Sequence, residues 1–139
     1  MRKLITALLL FSTSVIGTAQ TEENDEEWTW MIESIIQVES SGNPLARSKG
    51  GGSVGILQIT PIAVKDCNLI LGRKEYTLQD RLNPERSREM FDLIQGRYNP
   101  EKNIEKAIRL WNGGPGYTIR GTQTYFEKVM KHFKNKKKM

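Results

Sequence analysis

The sequence predicts a mainly α-helical single domain, and three observations carry that prediction. Apolar residues recur three and four positions apart in successive stretches. Alternating patterns are nearly absent, and residues 54–59 are the one short strand-like piece. Finally, Thr60-Pro61, Asn83-Pro84 and Asn99-Pro100 each set a capping side chain before a proline suited to the first helical position. At 139 residues the chain has room for one core, not two.

The elements follow in order. A first helix is expected over 25–40, with Asp25 as N-cap and acids in its first turn. The helix from Pro61 should end near Gly72. The one from Pro84 presents Met90, Phe91, Ile94 and Tyr98 on one side, and the one from Pro100 presents Ile104, Ala107, Ile108 and Trp111. A last helix from about Thr124 presents Phe126, Val129, Met130 and Phe133. Two stretches resist helix: residues 40–53, rich in Gly and Ser, and Asn112-Gly113-Gly114-Pro115-Gly116. They read either as flexible turns or as loops over a site.

The start of the chain reads as an address. Arg2 and Lys3 precede an apolar run over 4–16, and Gly17-Thr18-Ala19 supplies the small residues a signal peptidase needs. Cleavage is expected before Gln20, which makes 1–19 a signal peptide and the protein exported, periplasmic or secreted. The run is short for a bilayer span, although an uncleaved anchor is the alternative. Cleavage removes the charges of Arg2 and Lys3 and leaves +3 of the formal +5. An acidic lead over 20–27 and a basic tail over 134–139 flank the remaining 28–133. The tail reads as attraction to an anionic surface or as a frayed, solvated terminus. No aromatic residue interleaves with its lysines, so a nucleic-acid platform is not expected.

Composition narrows the chemistry. A single Cys excludes an intramolecular disulfide and a multi-Cys zinc site, and Cys67 reads as a small buried residue of the second helix. The single His, His132, sits in a Lys-rich segment, a poor place for a buried base. Acid–base work therefore falls to carboxylates.

One carboxylate stands out. At about 100° per residue, Met31, Ile32, Ile35 and Ile36 form a stripe, and Glu39 falls inside it while Glu33 turns away. Burial among apolar groups disfavours the charged form, and a carboxyl kept protonated near neutral pH can act as a general acid. The bland alternative is that Glu39 reaches solvent or pairs with a cation such as Arg47.

Four segments follow in sequence: Glu39-Ser40-Ser41-Gly42-Asn43-Pro44, then Gly55-Ile56-Leu57-Gln58-Ile59-Thr60-Pro61, then Leu110-Trp111-Asn112-Gly113-Gly114-Pro115-Gly116, and Thr124-Tyr125-Phe126. In order and spacing they resemble the soluble lytic transglycosylase catalytic domain of the lysozyme-like superfamily, over residues 28–129. The resemblance implies a lysozyme-like fold, mainly α with at most a minimal β element. It makes Glu39 the catalytic acid. It places Ser40, Ser48, Gln58 and Asn112 at the substrate, and implies that Tyr125 hydrogen-bonds the catalytic carboxyl. Trp111 stands where the family usually has Tyr, Leu110 where it has Ala, and Val54 where Arg is common. Trp111 is either a groove wall, with a flat face and an N–H donor, or core filler.

The implied reaction cuts the β-1,4 bond between N-acetylmuramic acid and N-acetylglucosamine in peptidoglycan and closes a 1,6-anhydro ring. The substrate's acetamido group would stand in for a second carboxylate. Asp66 or Asp80 across the groove would instead make a hydrolase, a goose-type-lysozyme-like muramidase. A non-cleaving glycan-binding module and a secreted helical interaction protein are further alternatives. Glycan strands are the expected partner, with no nucleic acid and no stable membrane insertion after cleavage. Secretion, conjugation or phage-related assembly partners remain open.

Overall fold

The computed structural model describes residues 16–139, with side chains from residue 19. The expected signal peptide therefore lies largely outside the described residues. The described residues form five helices and one 3-10 turn: α1 Ile16–Ser40, α2 Pro61–Leu71, the turn Leu78–Leu82, α3 Pro84–Tyr98, α4 Ile104–Gly113 and α5 Ile119–Lys137. Helix α1 packs on α5 and α4, α4 packs on α5, and α2 packs on α3. The mainly α class is thus observed.

The caps of α2 and α3 form as their sequences dictate. Thr60 accepts the Ala63 N–H at 3.2 Å and Asn83 accepts the Arg86 N–H at 3.1 Å, each beside a proline that has no N–H to lose. Gly72, at φ 69°, closes α2 in the left-handed conformation.

The third Asn-Pro step behaves differently. Asn99 does not cap a helix from Pro100; α4 begins at Ile104, and Asn103 caps it by accepting the Lys106 N–H at 2.8 Å. Asn99 is buried instead. Its Nδ2 donates to Gln95 Oε1 and to the Asn103 carbonyl, and its Oδ1 accepts the Asn103 N–H. A buried amide with every polar atom engaged closes the turn 99–103.

Two helix starts also move. Asp25 lies inside α1, where its carboxylate meets Lys102 at 3.5 Å and its carbonyl accepts the Thr29 hydroxyl. No proline falls in 16–24, and the acidic lead extends α1 rather than preceding it. Helix α5 begins at Ile119 rather than near Thr124, with Thr118 capping Gly121. The basic tail is not frayed either: α5 runs through Lys137, which donates to Glu27 of α1. Residues 54–59 form only isolated bridges, Arg47 to Val54 and Val54 to Ile59.

Met31, Ile35, Leu57, Met90, Phe91, Ile108 and Val129 lie at the centre of the core, all fully buried. Phe91 anchors an aromatic row, with ring centroids 6.3 Å from Trp28 and 4.8 Å from Trp111. Cys67 is on the buried face of α2, and burial pushes its thiol up to about 12, so it stays a neutral thiol.

Candidate active site

Glu39 occupies the last turn of α1, directly above the buried Ile35 and Ile36. Because α1 and α5 pack together, the Tyr125 hydroxyl reaches across and donates to Glu39 Oε1 at 2.7 Å. Burial raises the carboxyl above its ordinary range, and the Tyr125 hydrogen bond only partly opposes this. Burial and the neighbouring carboxylate also raise the Tyr125 phenol, which stays a neutral donor. Glu39 therefore neither reaches freely into water nor pairs with Arg47; it forms no ion pair among the described residues. Glu33, on the other face, bonds Arg88 at 2.6 Å.

Glu39 opens on a cleft of about 790 Å³ that Ser48, Gln58, Trp111 and Asn112 also line. This volume lies within the ordinary range of ligand-binding clefts.

The loop between α1 and α2 forms one side of the cleft. It is a tight hairpin: Val54 and Ile59 exchange backbone hydrogen bonds at 3.1 and 3.0 Å, and the Gly55 N–H bonds the Ala46 carbonyl at 2.8 Å. Gln58 sits at φ 50°, a conformation that costs a non-glycine residue about 1–2 kcal/mol. Its Nε2 offsets the strain by donating to the Ala46 and Gly55 carbonyls, so its Oε1 is the atom left to meet a ligand. The Ser48 hydroxyl accepts the Ser53 N–H at 3.0 Å, which leaves its proton free to donate into the cleft. Ser40 is turned away from the cleft lining: its hydroxyl donates to the Ile56 carbonyl at 2.8 Å and ties the end of α1 to the hairpin.

Helix α4 and the glycine loop after it form the far side. Trp111 is both groove wall and core, since its ring packs on Phe91 and also lines the cleft. Its N–H, expected as a donor for sugar, is instead held by the Leu57 carbonyl at 3.0 Å, so only the ring face is on offer. Asn112 is exposed in the cleft, and its amide makes no hydrogen bond among the described residues. Gly113 has to be glycine, because a Cβ there would lie 2.6 Å from the Cβ of Tyr117.

Two buried arginines, which sequence pattern alone does not reveal, hold these loops. Arg109 bonds Glu105, the Ile119 carbonyl, Thr122 and Gln123, and its guanidinium lies 4.2 Å from the Phe126 ring centroid. It thereby fixes the start of α5, one turn from Tyr125. Arg81, on the 3-10 turn, has no carboxylate partner among the described residues. It donates to the carbonyls of Leu78, Gly52 and Ile59, and so clamps the tip and base of the hairpin. Replacing Arg81 with Leu should leave three carbonyls short of a donor. A stability loss of about 2–4 kcal/mol is expected in urea unfolding, with faster amide exchange confined to the hairpin.

The remaining acids separate cleanly. Asp80 binds Thr77 and Arg86, which hold its carboxyl below the ordinary range, and it does not line the cleft. Asp66 does line it, and accepts the Tyr98 hydroxyl at 3.2 Å.

The scaffold defines the class first: a mainly helical, lysozyme-like domain. The chain belongs to the transglycosylase SLT family, whose sequence model, described as the Transglycosylase SLT domain, matches residues 16–133. It is 36% identical over 91 residues to the membrane-bound lytic murein transglycosylase E of Buchnera aphidicola subsp. Acyrthosiphon pisum (strain APS). That alignment covers 66% of this chain and 33% of the relative, so the chain matches about a third of that protein's length. No solved structure matches the chain. Among the described residues no helix is long and apolar enough to cross a membrane.

Proposed function

We propose that the protein is a peptidoglycan lytic transglycosylase, with Glu39 as its one acid and base. The observation that carries this is the Tyr125-held, half-buried Glu39 carboxyl at the wall of a cleft of about 790 Å³. Membership of the transglycosylase SLT family supports it.

Protonated Glu39 gives its proton to the oxygen that links N-acetylmuramic acid to N-acetylglucosamine, and that C–O bond breaks. The acetamido group of the muramic acid stabilises the cation that develops at its anomeric carbon. Glu39, now a carboxylate, takes the proton of the muramoyl 6-hydroxyl. That oxygen attacks the anomeric carbon and closes the 1,6-anhydro ring, and Glu39 is protonated again. The balance needs no water, metal or organic cofactor. Gln58 Oε1, the Asn112 amide, the Ser48 hydroxyl and the Trp111 face hold the strand, while Ser40 acts through the hairpin. An N-terminal leader cut before Gln20 would deliver the domain to the wall.

Mass analysis of fragments released from purified wall tests the reading. Ends lighter by one water than hydrolysis products are expected; reducing ends would overturn it. A hydrolase is the second reading, and it rests on Asp66, the one other carboxylate among the described residues that line the cleft.

Tyr125 supplies a pH test. Its hydrogen bond lowers the Glu39 pKa, so Tyr125→Phe raises that pKa further. The acid works only when protonated, and activity falls as pH rises through its pKa. The alkaline limb of the kcat/KM profile should therefore move to higher pH in Tyr125→Phe. An unmoved or lowered limb would separate Tyr125 from the acid.

A further inference from the structure

Helix α2 presents an unusual stripe to the cleft. Ile62, Lys65, Asp66 and Leu69, at i, i+3, i+4 and i+7, share one face, and all four line the cleft. Ile62 is 80% and Leu69 69% exposed, while Val64 and Cys67 bury the opposite face. Two large apolar side chains are thus left in water on the wall of a functional groove, with a cation and an anion between them. Lys65 and Asp66 make no ion pair among the described residues. The Tyr98 hydroxyl fixes Asp66 through Oδ1 alone, which leaves Oδ2 for a ligand. Bare sugar chains are rich in hydroxyls and carry no ammonium for Asp66. Alternating apolar, cationic and anionic contacts instead suit a short peptide with methyl side chains, carboxylates and a free amine.

We infer that the α2 wall is a peptide subsite, which holds the peptide branch of a glycan strand while the strand itself lies along Gln58, Trp111 and Asn112. This rests on the peptidoglycan reading above and adds its substrate form: strands that still carry their peptides. Asp66 takes the ammonium of the branch and Lys65 a carboxylate, as charge-assisted bonds. Ile62 and Leu69 cover the methyl groups.

Two measurements test this, one of them independent of cleavage. In the first, a free peptide branch with an unblocked diamino acid is titrated into the full chain while the methyl signals of Ile62 and Leu69 are followed by NMR. The signals should shift, and Asp66→Asn or Lys65→Glu should weaken that binding about tenfold. Unshifted signals, or self-association of the protein through Ile62 and Leu69, would overturn the inference. In the second, rates of strand scission are compared on wall glycan with its peptides intact and on the same glycan stripped by an amidase. Wild type should favour the intact strands, and the ratio of the two rates should fall toward one in Asp66→Asn. Equal wild-type rates would overturn it. So would an equal loss on both substrates in Asp66→Asn, which would place Asp66 in the chemistry. If wild type cuts neither glycan but the peptide still shifts the α2 signals, the cleavage reading fails and the subsite stands.

Discussion

Glu39→Gln is expected to lower the rate of wall cleavage by roughly 10³-fold or more, because one group serves as acid in the first half of the reaction and as base in the second. The fold should survive, since an amide oxygen can still accept the Tyr125 hydroxyl at the same position. Stability should even rise above the pH at which Glu39 ionises. The sign follows from the raised pKa: the folded state favours the protonated carboxyl, so wild type loses stability as pH rises through that pKa. The amide does not titrate and escapes that loss. Turbidity of a wall suspension reports the first effect, and thermal melts from acid to neutral pH report the second. Equal clearing by both proteins would remove Glu39 from the mechanism.

Gly55→Ala is expected to cost about as much stability as the loss of the Arg81 clamp. Gly55 sits at φ 87°, and an added Cβ would lie 1.9 Å from the Arg81 carbonyl oxygen, a backbone atom that no rotamer change can move. The Ser87 hydroxyl holds that same carbonyl at 3.1 Å from α3. Left-handed strain costs about 1–2 kcal/mol, and forced overpacking about 1–3 more. The sum, roughly 3 kcal/mol, is a large part of the stability of an ordinary small domain. The damage should reach the cleft, because Gly55 also accepts from Gln58 Nε2. Denaturant unfolding should show the midpoint fall, and scission assays should show lost activity even where the variant remains folded.

Much of the helical frame is legible in the sequence, for local reasons. Thr60 and Asn83 cap as their neighbouring prolines suggest, and Met31, Ile35 and Ile36 point inward as a period of 3.6 requires. Where local signals mislead, tertiary context decides. Asn99 has the same Asn-Pro signature as Asn83, yet its amide is buried against Gln95 and Asn103, which no short-range pattern records. The local pattern puts the start of the last helix near Thr124, but Thr122 is buried and bonds Arg109, and this anchors the earlier start of α5.

The candidate site divides in the same way. Glu39 can be singled out because a carboxylate inside an apolar stripe is a local anomaly. Its partner Tyr125 comes only through family resemblance, since 86 residues separate the two and periodicity cannot span them. Arg81 and Arg109 give no signal, because an arginine that bonds carbonyls looks in sequence like any exposed one. The indole N–H of Trp111 looks free for sugar for a related reason: its acceptor, the Leu57 carbonyl, belongs to a hairpin 54 residues away. Asp66 and Asp80 are equivalent in sequence; what separates them is that α2 faces the cleft and the 3-10 turn faces away.

The mechanism requires that Glu39 keep its proton because of where it sits. Titration of its side-chain carboxyl by carbon-13 NMR in the folded wild-type protein tests this most directly. A midpoint clearly above the ordinary glutamate range, moving higher still in Tyr125→Phe, is expected. A midpoint at or below that range, unaffected by Tyr125, would contradict it.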